Sequence, residues 1–378
     1  MEWIIQAALA AIISELVLGK KLGNRALAWG ALIGLMPQFD LLISLFLDNA
    51  HQLAWHHGPS HSLIFISLAS CAVGHGLAKI WKRKNIGKLE AIGVVFLIWI
   101  SNLLVHIFSS PGVDLWWPFS SNRVTLGLLN PCDYLFAIPL VLTALWVAFL
   151  PVQIQSKARA KKKIPVSPRR RCCYWGLGIA VSYLLVGAGM KWVASSGFQA
   201  DLVRRGTKYQ RRFESPTFSN LLLWRAVVDR GSEIWVGYRS VFELPSTPVR
   251  WTIYPRGSEN LTSVAEMRET KSLIKFTDGW WIARANAKGA WLGDIRTPES
   301  RTWESKKNSV DSRLSDSWLI ILSAKGDSLR PISTSEQATD KNFRRMSARI
   351  FGKHEAWEGT PRLTGVPGSL PEFLTVEE

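Results

Sequence analysis

Cysteine and acidic residues are scarce in this 378-residue chain. It holds four cysteines, and its 29 Asp and Glu residues are outnumbered by 46 Lys and Arg residues. So few cysteines, all of them within the first 173 residues, exclude a disulfide-stabilised scaffold. The acidic deficit leaves a net charge of +17, a value that a nucleic-acid-binding protein could have. A soluble protein of that class would not normally hold the long apolar blocks found here, so we expect no nucleic-acid partner.

Long apolar runs fill the first half of the chain and are missing from the second half. Six runs approach the roughly 20 residues that a membrane-spanning helix needs, and they cover 3–19, 26–48, 61–81, 89–108, 134–153 and 174–194. After residue 195, β-rich stretches such as Glu233–Tyr238, Val249–Tyr254 and Trp318–Ser323 alternate with turn residues. The sequence therefore predicts an α-helical membrane domain with about six transmembrane helices, followed by a β-rich soluble domain.

This composition divides the chain into four predicted segments. A multi-helix membrane domain covers 1–153, a basic linker covers 154–173, a sixth transmembrane helix covers 174–194, and the β-rich domain covers 195–378. No lysine or arginine precedes the first apolar run. A cleaved signal peptide carries cationic residues there, so we expect the first run to be a retained helix.

Basic residues alternate from loop to loop. The loops after the first and third runs are basic, and residues 156–171 of the linker hold eight Lys and Arg residues. The loop 49–60 holds none, and the loop 109–133 holds only Arg123. Because basic loops remain in the cytoplasm, the alternation predicts a multi-pass inner-membrane protein with both termini extracytoplasmic. The lipid bilayer is its expected partner, and the cationic linker is typical of an orientation signal or a contact with anionic lipid.

Several polar residues interrupt the apolar runs, where they are costly and commonly functional. Glu15 lies in the first run, and Gln38 and Asp40 lie in the second, next to Pro37, which is expected to kink or break the helix. In the fourth run Asn102 and His106 are four residues apart and so share one helix face.

The histidines indicate a functional site more specifically than these polar residues do. His56, His57 and His61 fall in one short loop, and the predicted orientation places this loop at the same membrane face as His106 and Asp133. Imidazole and carboxylate groups suit zinc or another divalent first-row metal. A histidine at a membrane interface is more often simply solvated, so the spacing leaves a metal site and a solvated loop open.

At these residues the chain resembles the YdjM-like family of inner-membrane, metal-dependent hydrolases. Segment 56–62, His-His-Gly-Pro-Ser-His-Ser, is similar to that family's His-Arg-Gly-x-Thr-His-Ser motif, and segment 117–120, Trp-Pro-Phe-Ser, matches its aromatic segment. Asp133 stands at the position of the family's Asp-Pro aspartate, and Glu15 also matches. Segment 216–225 looks like the opening of the family's C-terminal domain, so the resemblance covers about residues 10–260.

The chain departs from the family pattern at three positions. Gln38 replaces the first aspartate of Pro-Asp-x-Asp, Asn102 replaces a histidine, and His106 replaces an aspartate. An amide oxygen is a poorer zinc ligand than imidazole, and the two lost carboxylates would leave a bound cation less neutralised. The site either binds metal with an altered ligand set or has decayed.

The resemblance implies a hydrolase with a divalent metal, most simply zinc, held by Asp40, His56, His61 and His106. Asp133 would then act as a further ligand or as a general base, and His57, when protonated, would contact an anionic substrate. Lipid-linked esters or phosphoesters of the membrane or envelope are the substrates expected at headgroup depth.

Two alternatives remain open. The first is a catalytically decayed membrane anchor that presents the β-rich domain to a partner or an envelope polymer, and exposed tryptophans in that domain would support it. Core packing is the commoner role of such tryptophans. The second is a transporter, which would need polar residues along a path to both membrane faces. The sequence assigns no oligomeric state.

Overall fold

The fold was analysed in a computed structural model. It describes residues 2–39, 58–110, 112–120, 122–131, 133–152, 167–286, 289–296, 299–302, 310–314, 316–321, 329–333, 340–356 and 361–363. The described residues divide into two compact units, a helical unit that extends to residue 186 and a β-rich unit that begins at residue 187. The sequence-based expectation of a helical region followed by a separate β-sheet region is confirmed.

Apolar helices build the helical unit. Its first five are α1 (Glu2–Leu22), α2 (Arg25–Leu35), α3 (Leu63–Ile80), α4 (Lys88–Phe108) and α5 (Tyr134–Phe149). The sixth, α6 (Pro168–Arg204), begins in the helical unit and continues into the β-rich unit. Within the described residues, α1, α3, α4 and α6 are long and apolar enough to cross a membrane, whereas α5 has 16 residues. The predicted number of six transmembrane helices is therefore not established.

Small residues bring the helices of this unit close together. A side chain on Gly30 or Gly34 of α2 would collide with α1 at Ala10, and one on Gly74 of α3 would collide with the backbone of Ile92 on α4. Glycine at such contacts lets helix backbones approach and gain van der Waals contact, which drives helix association in lipid.

One expected break is present and one helix boundary differs from the sequence-based expectation. The second run was expected over 26–48 with a kink or break at Pro37, and α2 ends at Leu35 with a 3-10 turn over Met36–Phe39; residues 40–48 lie outside the described residues. Pro37 lies in that turn, and a proline there has no N–H and clashes with the preceding turn of an α-helix. The sixth helix was expected over 174–194, but α6 begins at Pro168 and ends at Arg204. Proline suits a first helical position, and residues 168–173, expected in the linker, are helical.

Polar contacts link the loops at one end of the helical unit, which we call the basic end. The Lys21 Nζ atom donates to the Asn85 carbonyl at 3.1 Å and to Glu90 Oε2 at 2.6 Å. Asn24 Nδ2 donates to the Ala148 carbonyl at 3.0 Å. The loops after α1 and α3, the end of α5 and the start of α6 meet here, and they carry Lys20, Lys21, Arg25, Lys82, Arg83, Lys84, Lys88, Arg169, Arg170 and Arg171.

Antiparallel sheets form most of the β-rich unit. The first is a meander of β1 (Arg211–Pro216), β2 (Leu223–Asp229), β3 (Glu233–Ser240) and β4 (Trp251–Pro255) in that order. The second has the order β10-β9-β6-β5 and consists of β5 (Trp281–Asn286), β6 (Gly289–Asp294), β9 (Asp316–Ile321) and β10 (Leu329–Ser333). The third has the order β11-β8-β7 and consists of β7 (Glu299–Thr302), β8 (Val310–Leu314) and β11 (Pro361–Leu363). The three predicted β-rich stretches overlap β3, β4 and β9.

Helices cover these sheets. The C-terminal part of α6 packs Ala194, Phe198 and Leu202 against the first sheet, where Trp224 and Trp251 complete the core. Two short helices, α7 (Arg268–Phe276) and α8 (Asp340–Ile350), contribute to two other cores. Exposed tryptophans would have supported a binding role for this unit, but six of its tryptophans are buried, namely Trp224, Trp235, Trp251, Trp280, Trp281 and Trp291. They therefore pack the core.

Candidate functional site

Polar side chains gather at the end of the helical unit opposite the basic end. The start of α1, the turn after α2, the turn before α3, the end of α4 and the residue before α5 supply them. We call this group the polar cluster, and it consists of Glu2, Gln6, Gln38, His61, Asn102, His106 and Asp133. All but Glu2 are buried. Burial of so many polar groups in a membrane domain is costly, which marks the cluster as a functional candidate.

His61 and His106 are in direct contact. Their ring centroids are 4.7 Å apart and the ring planes cross at 86°. His61 lies on a 3-10 turn, Pro59–His61, where its Nδ1 atom is 2.8 Å from the Ser60 hydroxyl. His106 lies near the end of α4. The structure thus brings together two of the predicted metal ligands, although they come from different helices.

A chain of hydrogen bonds runs through the cluster to His106. Gln38 Nε2 donates to Gln6 Oε1 at 2.7 Å, and Gln6 Nε2 lies 2.7 Å from His106 Nε2. The other ring nitrogen of His106, Nδ1, lies 2.8 Å from Glu2 Oε1. Both ring nitrogens of His106 are therefore engaged by α1.

Asn102 uses its amide to hold two helices together. Its Nδ2 atom donates to the Gly34 carbonyl of α2 at 3.0 Å. Its Oδ1 atom is buried and has no hydrogen-bond partner among the described residues. A buried hydrogen-bond acceptor without a partner costs about 1–3 kcal/mol. Asn102 Oδ1 can therefore accept a hydrogen bond from a ligand or a water molecule. The predicted shared face of Asn102 and His106 is confirmed, since both lie four residues apart within the continuous helix α4.

Asp133 is buried directly before α5. Its Oδ1 atom accepts a hydrogen bond from the Phe136 N–H at 3.1 Å and caps the helix. Burial raises the pKa of this carboxyl above its ordinary value, whereas the hydrogen bonds from Tyr183 and from the Phe136 and Leu135 N–H groups lower it. Asp133 and Glu2 line one small cavity together with Ile5, Val105, Ser109, Leu129, Asn130, Pro131 and Phe136.

Glu15 does not join the polar cluster. It lies nine residues after Gln6 on α1, roughly 13 Å along the helix axis. Its carboxylate accepts hydrogen bonds from Arg169 Nε at 2.7 Å and Nη2 at 2.9 Å. Arg169 also donates to Asn24 Oδ1 at 2.6 Å and to the Leu150 carbonyl at 2.8 Å. Glu15 therefore belongs to a buried ion pair at the basic end.

Three predicted site residues, Asp40, His56 and His57, lie outside the described residues. Among the side chains that the structure describes, no three His, Cys, Asp or Glu residues are grouped so that they could hold a metal ion. The described part of the cluster thus supplies two imidazoles, two nearby carboxylates and one unsatisfied amide oxygen. These are donor types that zinc accepts.

Sequence reasoning missed three participants. The first run was examined only for basic residues before it, which a signal peptide would carry, so Glu2 and Gln6 were overlooked. Their spacing of four residues places them on one face of α1. Tyr183 of α6 donates to both oxygens of Asp133, at 3.0 and 2.9 Å. No sequence signal singles out Tyr183, because a tyrosine in an apolar helix is common and its partner is 50 residues away.

The helical unit matches a known family model. Residues 1–193, just over half of the chain, match the family described as YdjM inner membrane protein. No curated protein and no solved structure matches the chain. The match ends within α6, so it does not address the β-rich unit or the family-like segment 216–225.

Proposed function

We propose that this chain, which belongs to the YdjM inner membrane protein family, is a metal-dependent hydrolase of the inner membrane. One observation carries the proposal: two buried histidines from different helices, His61 and His106, meet at a ring-centroid distance of 4.7 Å. Buried imidazoles in a membrane domain are expensive, and a shared metal ion would account for both. We propose zinc, held by Asp40, His56, His61 and His106, with the amide Oδ1 of Asn102 within the same cluster.

The polar cluster would perform hydrolysis in a shielded pocket. A divalent metal bound there would lower the pKa of a water molecule and so supply a hydroxide nucleophile at neutral pH. Asp133 would take up a proton as general base or add a ligand, and the Tyr183 hydroxyl would hold its carboxylate in place. His57, when protonated, would bind the negative charge of the substrate.

The distribution of charge supports an extracytoplasmic site. Ten Lys and Arg residues lie at the basic end of the helical unit, whereas Arg123, paired with Asp114 at 3.5 Å, follows α4 at the polar-cluster end. By the positive-inside rule the basic end is cytoplasmic, so the polar cluster faces outward. A site at that depth suits lipid-linked esters or phosphoesters as substrates. Both termini would then be extracytoplasmic.

Metal content of the full-length protein in detergent tests this proposal. After reconstitution with Zn²⁺, we expect about one equivalent per chain, and we expect the combined change His61→Ala and Asp40→Ala to abolish it. His75→Ala is the matched control, because His75 is exposed on α3. A wild-type protein that retains less than a tenth of an equivalent of any transition metal would overturn the proposal.

A decayed site is the competing hypothesis, and one observation favours it. Gln38 and Asn102 each donate to a neighbouring group, Gln6 Oε1 and the Gly34 carbonyl, so both amides serve helix packing. The chain would then act as an anchor for the β-rich unit, and residues 195–378 alone would restore the cellular function. The anchor hypothesis would be favoured over the hydrolase hypothesis if the wild-type protein bound no metal and residues 195–378 alone restored the cellular function.

A further inference from the structure

We infer that Glu2 is the positioning residue that holds His106 ready to bind the metal, an inference that rests on the metal-dependent function proposed above. Glu2 Oε1 lies 2.8 Å from His106 Nδ1. The His106 side chain is 3 % exposed and the Glu2 side chain is 26 % exposed. The carboxylate therefore reaches from the first turn of α1 into the buried side of the polar cluster.

The hydrogen-bond partners of His106 define which nitrogen carries the proton. A carboxylate only accepts hydrogen bonds, so the contact with Glu2 places a proton on Nδ1. At the other end of the chain, Gln38 donates to Gln6 Oε1, which turns the Gln6 amide nitrogen toward His106 Nε2 at 2.7 Å. An amide nitrogen donates, so Nε2 carries the lone pair. Each bond in this chain then joins one donor to one acceptor.

This tautomer is the one that a metal ligand requires. A metal-binding histidine coordinates through one ring nitrogen and commonly donates the other N–H to a carboxylate, which fixes the ring and makes the ligand more basic. Glu2 has this relationship to His106. The lone pair on Nε2 points to the Gln6 amide, so metal binding would replace the hydrogen bond from Gln6.

The location of Glu2 also serves charge balance. Two neutral imidazoles contribute no negative charge to a divalent ion. Glu2 contacts His106 and lines a small cavity together with Asp133, so the polar cluster holds two neighbouring carboxylates. Loss of Glu2 would therefore weaken the site both by freeing the imidazole and by removing a negative charge.

Metal titration of the full-length protein in detergent tests this role. Zn²⁺ affinity and the visible spectrum of the Co²⁺-loaded protein would be measured for the wild type, Glu2→Ala and Glu2→Gln. We expect Glu2→Ala to weaken Zn²⁺ binding by about 10- to 100-fold, the usual cost of losing such a partner. Glu2→Gln should lie between the two, because its amide oxygen still accepts from Nδ1 but carries no charge. The Co²⁺ bands should shift in both variants, since the orientation of a ligand changes.

Glu90→Gln is the matched control. Glu90 is part-buried at the basic end, where it pairs with Lys21, so its loss should leave Zn²⁺ affinity and the Co²⁺ spectrum unchanged. Equal Zn²⁺ affinity and identical Co²⁺ spectra in the wild type and both Glu2 variants would overturn the role of Glu2 and leave the hydrolase proposal intact. A wild type that binds neither ion would overturn both.

Discussion

The hydroxyl of Tyr183 lies 3.0 and 2.9 Å from the two carboxylate oxygens of Asp133, and so ties α6 to the start of α5. Tyr183→Phe removes this donor and keeps the ring. Because Asp133 is 1 % exposed, its carboxylate would lose a hydrogen bond that water cannot easily replace. We expect a loss of about 1–3 kcal/mol in the free energy of unfolding, measured by denaturant titration in detergent.

Tyr174→Phe is the control for that variant. Tyr174 lies on the same helix but is 53 % exposed, so the change should be nearly neutral. Equal stability losses in the two variants would show that Tyr183 contributes only as an aromatic side chain.

The buried pair of Glu15 and Arg169 should matter far more than a surface pair. Both side chains are 3 % exposed, so Arg169→Ala would leave an uncompensated buried carboxylate. We expect destabilisation by about 3–5 kcal/mol. Lys21→Ala, which breaks a half-exposed pair with Glu90, should cost about 0.2–1 kcal/mol. Unfolding of the detergent-solubilised variants measures both values.

A double variant separates charge loss from packing loss at the same pair. Glu15→Leu combined with Arg169→Met removes both charges and keeps apolar volume, so much of the stability lost in Arg169→Ala should return. If the double variant were as unstable as the sum of the single changes, the ion pair would not explain the cost of Arg169→Ala.

The proposed orientation is open to direct measurement. A reporter that is active only in the cytoplasm should be active when fused at Lys162, in the basic linker, and silent when fused at the C-terminus. A reporter that is active only outside the cytoplasm should give the reverse pattern. Activity of the same reporter at both positions would contradict a span between them and would place the β-rich unit on the side of the linker.

Asp229 should make the β-rich unit sensitive to acid. Burial alone would raise the pKa of this carboxyl, but hydrogen bonds from Arg256, the Gly231 N–H and Arg211 lower it below its ordinary value of 3.8. A lowered folded-state pKa stabilises the fold above pH 3.8, and this contribution is lost as the pH falls through the folded-state value. The unfolding midpoint of the full chain, followed by tryptophan fluorescence, should therefore drop steeply below about pH 4.

The Asp229→Asn variant checks the assignment. It cannot titrate, so it should be less stable at neutral pH and should show a shallower drop on acidification. The two guanidinium groups that contact the carboxylate, Arg211 Nε at 3.0 Å and Arg256 Nη2 at 2.6 Å, would lose their counter-charge. An unchanged acid transition would assign that transition to another carboxylate.

The candidate site was predictable in its chemistry but not in its contacts. The sequence predicts that His61, His106 and Asp133 lie at one end of the helices, because hydropathy and the alternation of basic loops define which helix ends are neighbours. It does not predict that Glu2 and Gln6 engage the two nitrogens of His106. Gln6 and His106 are 100 residues apart, and their contact depends on how α1 is rotated against α4. An apolar helix of low amphipathicity does not encode that rotation.

One helix limit was predictable from a single residue and another was not. Pro37, at which a break was expected, lies two residues after the end of α2 at Leu35. The linker residues 168–173 are too polar to be taken for a membrane helix, yet they are helical, and Arg169 among them pairs with Glu15, 154 residues earlier in the chain. Hydropathy averaged over neighbouring residues contains no information about a contact with a residue so far away in the chain.

Three features can be identified from the amino-acid sequence: the division into an apolar helical half and a β-rich half, the clustering of basic residues in alternate loops, and the presence of imidazoles and carboxylates among apolar residues. These properties follow from local composition and spacing, which the chain carries in any conformation. Tertiary contacts, by contrast, are needed to show that Glu15 belongs to an ion pair, that Glu2 contacts His106, and that six tryptophans of the β-rich unit are buried. Each of these depends on which surfaces face one another, and that is set by the packing of whole helices and sheets.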